Sequence, residues 1–221
     1  MLVTFTNRHG GVSQGVYSSL NLGDHVGDAA VDVLRNREVV RAQHGPVQFM
    51  NQVHGNRIAI IEEVTAELPT ADALVTGIPG ITLAVMVADC IPLLLTSKEV
   101  VAAVHVGRRG LVNNVAIKSI EVMREMGARD ISATIGPAIC GTCYEVSADI
   151  HQEVTSIFPV ADSRTSSGSL ALDLPKALNS ILQSAGISVD ASQGGCTVEA
   201  ADLFSYRRDG LTGRQAGLVR L

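Results

Sequence analysis

The chain has 221 residues, of which 46% are hydrophobic and 18% charged, a composition typical of a globular protein and not of a disordered one. The formal net charge of -5 argues against a nucleic-acid partner or an anionic membrane surface, although a local basic patch is still compatible with it. Tryptophan is absent and aromatic residues make up 3%, so aliphatic side chains must build the core.

The N-terminal sequence has no basic leader followed by an apolar segment, and no apolar run approaches the roughly 20 residues that cross a bilayer. Four cysteines scattered along a chain of this length suit reduced thiols better than a disulfide framework. We find no internal repeat and no long linker. We therefore expect a cytoplasmic protein with a single domain over residues 1–221.

The first predicted elements are a strand from Leu2 to Thr6 and a helix from Ala29 to Gln43, which ends at the His-Gly-Pro sequence that follows. Between them, the loop from Asn7 to Gly11 is rich in glycine, and its backbone N–H groups could hold an anion together with Arg8. A plain turn with an exposed arginine is the alternative interpretation.

A strand is predicted from Val47 to Val53, and it delivers His54 into a Gly-Asn turn. Residues Arg57 to Ile61 are predicted as a following strand that pairs with it as a hairpin. His54 is therefore a candidate site residue at a strand end, although a histidine in such a turn is often only structural.

Two apolar runs, Ile81 to Ala88 and Val100 to Val106, are predicted as strands inside one covered sheet because both of their faces are apolar. Asp89 and Cys90 follow the first run, and His105 lies at the end of the second, just before a Gly-Arg-Arg-Gly turn. Side chains at strand ends are where a sheet commonly presents its chemistry.

The C-terminal half alternates predicted helices and strands. Helices are expected at Leu111 to Met126, Ser147 to Phe158 and Asp173 to Gly186, and strands at Ile131 to Ile135, Ile187 to Val189 and the C-terminus. The polar stretch from Ala161 to Ser169 is predicted as a mobile surface loop.

His54, Cys90 and His105 form the main candidate site. They lie 36 and 15 residues apart, so the fold must bring them together. Two imidazoles and a thiolate suit a catalytic zinc site with an open fourth position. The same residues could form a Cys–His nucleophile pair with a spare histidine, or be a buried thiol with two satisfied histidines. The spacing does not separate these alternatives.

Cys140 and Cys143 form a Cys-x-x-Cys motif in a glycine-bounded loop, whereas the redox motif of thioredoxin opens a helix. A zinc knuckle needs a second ligand pair, and we find none with suitable spacing. The cytidine-deaminase signature places His-x-Glu before the cysteines, whereas His151 and Glu153 follow them. We therefore expect thiols that only pack or face solvent.

Eight short segments follow one another along nearly the whole chain: TNRHGGVS, LNLGDHVGD, NQVHG, ADALVT, VADCIPLLL, AAVHVGRRG, IGPAICGTCYEV and FSYRRDGLTGR. Together and in this order they resemble the YfiH-type laccase-domain family, whose members are also called multicopper polyphenol oxidoreductases and purine nucleoside phosphorylases. The resemblance implies a single α+β domain with mixed β-sheets flanked by helices, similar to the YfiH fold that is grouped with the catalytic domain of cytotoxic necrotizing factors.

The resemblance also implies a metal, usually zinc, on His54, Cys90 and His105. The implied activity is phosphorolysis of adenosine, inosine and methylthioadenosine, with adenosine deamination alongside. The implied partners are therefore small molecules, and the chain would be a monomer or a homodimer. Asp89 could orient a ligand or shuttle a proton, although a structural role at the strand end is equally compatible with its position.

Phosphorolysis requires cations that position the phosphate dianion, and Arg8, Arg109 and Arg207 are the candidates because each lies beside a glycine-rich or polar turn. One departure from the family pattern is Arg108, which stands where members usually have tryptophan. The loss of an aromatic platform there puts the nucleoside preference in question.

Only six histidines are present, so a full laccase copper set is not feasible, although one copper ion replacing zinc at the trio is consistent with the order of metal affinities. Bacterial members of the family are associated with peptidoglycan editing. A Cys90 hydrolase acting on a cell-wall precursor is therefore an alternative enzyme, and a metal- or metabolite-binding module without turnover is a third possibility.

Overall fold

A computed structural model describes residues 1–221 and contains twelve strands and six α-helices. The strands are β1 (Leu2–Phe5), β2 (Val47–Gln48), β3 (Ile58–Ile60), β4 (Ala73–Thr76), β5 (Thr82–Val87), β6 (Ile91–Thr96), β7 (Val101–Val106), β8 (Ser132–Ile135), β9 (Asp162–Arg164), β10 (Leu170–Leu172), β11 (Ser188–Asp190) and β12 (Gln215–Arg220). The helices are α1 (Ala30–His44), α2 (Arg108–Val112), α3 (Val115–Glu125), α4 (Ala148–Ile157), α5 (Leu174–Ser184) and α6 (Tyr206–Asp209). None of the helices has the length and apolar character that crossing a bilayer requires.

Two large sheets carry most of the strands. One has four strands in the order β1-β12-β5-β2, and the other has six in the order β11-β8-β6-β7-β4-β3, while β9 and β10 pair separately. Both large sheets mix parallel and antiparallel neighbours. The predicted α+β architecture with mixed sheets and flanking helices is confirmed.

The alternation of side chains along the strands determines how the sheets pack. Leu83, Val85 and Val87 of β5 share a core cluster with Leu94 of β6 and Ala103 of β7. Because alternate residues of a strand point to opposite faces, these side chains fill the space between the two sheets.

The opposite faces of the sheets are covered by helices. Met86 of β5 packs in a cluster with Val40 of α1. Leu93 and Leu95 of β6 join the largest cluster, which also contains Ile120 of α3 and other residues of α3 and α5. Both faces of β5, β6 and β7 are therefore buried, and this explains why their sequences are apolar throughout.

The prediction that the two central apolar runs share one sheet is wrong. β5 belongs to the four-stranded sheet and β7 to the six-stranded one. The strand β6, which the sequence analysis did not separate from its neighbours, pairs with β7 in antiparallel register. Proline usually marks the boundary of a strand, so Pro92 concealed β6 in the sequence. It stands at the second residue of β6, before the pairing with β8 begins at Leu93, so no ladder hydrogen bond needs its N–H.

Two other strand predictions are also corrected. The strand predicted from Val47 to Val53 is limited to β2, which pairs with β5, whereas β3 pairs in parallel with β4, so no hairpin joins them. The stretch predicted as a loop over Ala161 to Ser169 contains β9, which forms an antiparallel pair with β10.

The helix predicted from Leu111 to Met126 is two helices, because Asn114 adopts a left-handed conformation with φ of 58° between α2 and α3. The first of them begins at Arg108, so the predicted Gly-Arg-Arg-Gly turn is instead the first turn of α2. This helix starts immediately after β7 and therefore lies next to the end of the strand that carries His105.

Candidate functional site

The structure brings His54, Cys90 and His105 together. Each offers one ligand atom, and the three atoms lie within 4.8 Å of one another. Cys90 Sγ is 3.8 Å from His54 Nε2, and the two imidazole rings meet edge to face with their centroids 4.7 Å apart. His105 is buried at the end of β7, whereas His54 is exposed, so the trio opens to solvent on one side.

The buried carboxylate of Asp72 forms hydrogen bonds with two residues of the trio. It accepts hydrogen bonds from His105 Nδ1 at 2.9 Å, from the backbone N–H of His54 at 2.8 Å and from the backbone N–H of Gly55 at 2.7 Å. The first bond places the proton on Nδ1 and leaves Nε2 of His105 for a metal. The other two hold His54 in its left-handed conformation, with φ of 59°.

Sequence reasoning missed Asp72. The signal that could have identified it is an acid inside the apolar run from Ala71 to Val75, because an ionised side chain is almost never fully buried without a partner.

Asp89 also has a positive φ, of 93°, but its carboxylate binds a different part of the chain. It accepts hydrogen bonds from Thr197 Oγ1 at 2.6 Å, Ser205 Oγ at 2.7 Å and the backbone N–H of Arg207 at 2.6 Å. These three bonds hold Thr197, Ser205 and the first turn of α6 next to the strand end that carries Cys90. Among the alternatives considered for Asp89, these bonds favour the structural role at the strand end.

Gly107 permits the close approach of the site residues. A Cβ atom at this position would stand 3.1 Å from Cys90 Sγ and 3.2 Å from His54 Cδ2, closer than ordinary van der Waals contact. The backbone there has an extended conformation that any residue can adopt, so only the space requires glycine.

Cys90 and His105 shift each other's protonation. Burial by itself raises the pKa of the Cys90 thiol, but the charge and hydrogen bonds of His105 and His54 bring it down to about 6. Burial disfavours the charged form of His105, yet the Cys90 thiolate and Asp72 raise its pKa to about 9. Each group therefore favours the charged form of the other, the thiolate of Cys90 and the imidazolium of His105.

A cleft of about 500 Å³ opens over the trio. Its walls combine the apolar strand end from Met86 to Ala88 with two aromatic side chains, Tyr144 and Tyr206, and two cations, Arg207 and Arg214. This volume is in the range of sites that bind small organic ligands, and the mixture of apolar surface with a few convergent polar groups is typical of such sites.

The structure separates the three predicted phosphate ligands. The guanidinium of Arg207 lies 5.3 Å from the centroid of the Tyr144 ring and lines the main cleft. Arg109 lines a second cleft of about 330 Å³, which shares His54, Cys90 and Tyr144 with the first. The two clefts therefore meet at the trio.

Arg8 lies outside both clefts. Its Nε donates to the Ser18 carbonyl at 2.8 Å, and its guanidinium packs 4.8 Å from the Phe204 ring centroid, so its position does not support the predicted phosphate role. Sequence reasoning missed Arg214, which does line the main cleft and stands at the end of the segment FSYRRDGLTGR.

Arg108, the departure from the family pattern, forms an ion pair with Glu153 of α4 at 2.7 Å and lines the second cleft. Its charge is therefore partly neutralised at the cleft wall.

The expectation that Cys140 and Cys143 have no partner pair is wrong. Cys196 and Glu199 lie beside them, and the four ligand atoms are within 4.8 Å of one another. All four cysteines of the chain are free thiols. Sequence spacing could not reveal this cluster because its two halves are brought together only by the fold.

A family model described as multi-copper polyphenol oxidoreductase laccase matches residues 2–221. The chain is 43% identical over 228 residues to a purine nucleoside phosphorylase of Corynebacterium glutamicum, with 98% of this chain and 93% of the relative covered. It is 43% identical over 227 residues to a purine nucleoside phosphorylase of Streptomyces coelicolor, with 98% and 94% covered.

Solved structures resemble the chain over a similar extent. A Neisseria meningitidis protein superimposes with a TM-score of 0.89 at 40% identity, covering 98% of this chain and 92% of that one. The Bacillus licheniformis protein YfiH superimposes with a TM-score of 0.87 at 29% identity, covering 99% and 92%.

Proposed function

The chain belongs to the multi-copper polyphenol oxidoreductase laccase family, and we propose that it is a zinc-dependent purine nucleoside phosphorylase that also deaminates adenosine. Its membership confirms the resemblance noted in the eight sequence segments. The names of the curated relatives support an enzyme acting on purine nucleosides. The observation that carries the proposal is a single cleft that joins the two-histidine, one-cysteine trio to two arginines and two tyrosines.

The trio fits a zinc ion. Zinc in catalytic sites commonly takes three nitrogen, sulfur or oxygen ligands and leaves a fourth position open, and His54, Cys90 and His105 offer this set with one side exposed. Asp72 orients the His105 ring by accepting from its Nδ1, and Gly107 leaves room at the ligands. When bound, such an ion supplies a Lewis acid beside the substrate.

Copper is the alternative metal at the same trio, because copper(II) binds nitrogen and sulfur sites more tightly than zinc does. A laccase-type set of several coppers is not supported. The chain has two clusters of possible metal ligands, and only the trio contains histidine.

For phosphorolysis, a phosphate oxygen forms a bond to C1′ of the nucleoside while the C1′–N9 bond breaks. The purine leaves with the bonding electron pair and takes up a proton. In this proposal Arg207 and Arg214 position the phosphate dianion, with Arg109 at the adjoining cleft. Tyr144 and Tyr206 pack against the purine and keep water away from C1′.

For deamination, a water oxygen bonds to C6 of adenine and ammonia leaves, so the product is inosine. This reaction requires the purine ring, not the ribose, to face the trio. The proposal therefore places adenosine in two orientations in one cleft. Inosine and methylthioadenosine are further substrates for phosphorolysis, and inosine has no 6-amino group to lose.

The test uses adenosine with the purified protein, stripped of metal and reloaded with zinc. We expect adenine and ribose 1-phosphate in equal amounts, with a rate that depends on phosphate. Cys90→Ala should lose the zinc of the trio and turnover together while keeping its circular dichroism spectrum. If the reloaded protein releases no adenine when phosphate is present, the proposal fails.

A cysteine hydrolase, acting for example on a peptidoglycan precursor, is the second candidate, because Cys90, His105 and Asp72 form a thiolate–imidazolium–carboxylate array. It predicts activity that survives chelation and ends on alkylation of Cys90. The phosphorylase predicts loss on chelation and recovery with zinc. A binding module without catalysis predicts zinc uptake with no turnover in either assay.

A further inference from the structure

We propose a second metal site, a structural zinc centre formed by Cys140, Cys143, Cys196 and Glu199. The site shares no ligand with the trio of His54, Cys90 and His105. The proposal is independent of which reaction the cleft performs.

The ligand atoms already lie close to one another. All four lie within 4.8 Å of one another, and Cys143 Sγ is 3.8 Å from Glu199 Oε1. With zinc–sulfur bonds of about 2.3 Å, the sulfur atoms of a tetrahedral site are about 3.8 Å apart. An ion therefore requires side-chain shifts of an ångström or less, on the order of what rotation about one side-chain bond gives.

Each half of the cluster is a turn with the same ligand spacing. The Cys143 N–H donates to the Cys140 carbonyl at 3.1 Å, and the Glu199 N–H donates to the Cys196 carbonyl at 3.2 Å. Two intervening residues are the spacing typical of zinc ligand pairs, because such a turn points both side chains to the same side.

The backbone holds the two turns next to each other without any help from the cysteines. Ala138 forms a parallel bridge with Cys196, in which the Ala138 N–H donates to the Gly195 carbonyl at 3.0 Å and the Thr197 N–H donates to the Ala138 carbonyl at 3.1 Å. The site is thus formed before an ion binds, and little ordering entropy opposes binding.

The donor chemistry favours zinc. Three thiolates and a carboxylate are softer than the oxygen sets that magnesium and calcium prefer, and four protein ligands leave no open position for substrate. On binding, the three thiols release their protons to solvent and no electron is transferred. Arg208 lies against the same turn and donates from Nη1 to the carbonyls of Thr197 and Ala200 at 2.9 Å each, which fixes the turn that carries Cys196 and Glu199. Its charge is paired with Asp209.

An ion at this second site would stabilise one wall of the main cleft. Cys143 directly precedes Tyr144, and Cys196 directly precedes Thr197, whose hydroxyl donates to Asp89. The segment from Cys196 leads on to Arg207. The second site thus links the tyrosine and the arginine that face the trio, and its role is to keep that wall in place.

The test measures zinc per chain by elemental analysis of protein purified with a reductant and without chelator. We expect about two zinc ions in the wild type, about one in Cys143→Ser/Cys196→Ser and about one in Cys90→Ser, the matched cysteine control at the other site. In the Cys90→Ser protein stripped of metal, added zinc should raise Tm. The same addition to Cys90→Ser/Cys143→Ser/Cys196→Ser should leave Tm unchanged.

Equal zinc content in the wild type and Cys143→Ser/Cys196→Ser would overturn the proposal. So would an intact mass showing a disulfide between two of these cysteines in the freshly purified wild type. If the double variant does not fold, Glu199→Gln tests the second site instead. It keeps all three thiols and should release the second zinc at a several-fold lower chelator concentration, and an unchanged release curve again refutes the site.

Discussion

Asp72→Asn is the substitution that best tests how the fold prepares the trio. The carboxylate uses both oxygens to accept from His105 Nδ1, the His54 N–H and the Gly55 N–H. An amide has one oxygen, so its NH₂ group must face one of these partners. If it faces His105, the ring must accept at Nδ1 and carry its proton on Nε2, which then cannot bind a metal. If it faces Gly55, two donors oppose each other in a buried space.

Either orientation has a measurable cost. Because hydrogen bonds to a charged acceptor contribute about 1.5–3 kcal/mol each, we expect Asp72→Asn to lower the free energy of unfolding by about 2–3 kcal/mol. Loss of the carboxylate behind a ligand histidine should weaken zinc binding by about 10–100-fold. Competition with a chelator measures the affinity, and urea denaturation of the metal-free protein measures the stability.

Asp28→Asn is the matched control. Asp28 accepts from Ser13 Oγ at 2.6 Å and Asn21 Nδ2 at 2.9 Å, away from the trio and outside the main cleft. We expect it to lower stability and leave zinc affinity unchanged. If Asp72→Asn binds zinc as tightly as the wild type, Asp72 does not set the tautomer of His105. If both variants lose affinity equally, the loss comes from general destabilisation.

Three further substitutions test other parts of the structure. Gly107→Ala should weaken zinc binding and turnover about 10-fold with little change in Tm, because the added Cβ displaces Cys90 and His54; unchanged zinc affinity would contradict this. Arg207→Ala should raise KM for phosphate about 10-fold or more and spare deamination; an equal fall in both reactions would show that the arginine is structural or binds the base. The hydrogen bond of His25 holds the pKa of Asp24 down at about 2, against burial and with help from Arg37. A carboxyl whose pKa is lowered on folding stabilises the fold above its unfolded pKa near 4, and this contribution is lost as the pH falls toward 2. Asp24→Asn should therefore lower the free energy of unfolding by about 0.5–1 kcal/mol at pH 7, a small value because the side chain is half exposed, and should leave it unchanged below pH 2. Urea denaturation measures this difference, and a loss of stability that persists below pH 2 would rule out this origin.

Much of the architecture follows from local patterns. The apolar runs predicted the ends of β5 and β7 within one or two residues. A proline near the start of α5 and a glycine just after its end predicted that helix. The errors arose where long-range packing overrides local signals. Pro92 stands inside a strand, and Asn114 divides a helix that its apolar spacing predicted as continuous. Which sheet a strand joins depends on partners far away in the chain, and its own sequence does not specify them.

The candidate site, like the fold, could be predicted from the sequence only in part. Residue type alone marked His54, Cys90 and His105, because thiols and imidazoles beside apolar runs are chemically conspicuous wherever they fall. Asp72 also holds the geometry, but its only mark in the sequence is its place in the apolar run from Ala71 to Val75. The structure adds that it is buried and accepts from three donors.

The sequence by itself therefore determined the apolar strands β5 and β7, the core composition and the identity of the reactive groups, because these depend on side-chain chemistry and short-range periodicity. Only the tertiary structure decided which groups meet. It placed Arg207 in the main cleft and Arg8 outside it, and it joined the turn of Cys140 to the turn of Cys196. Distances between residues far apart in the chain are fixed by how sheets and helices pack, and no local pattern encodes them.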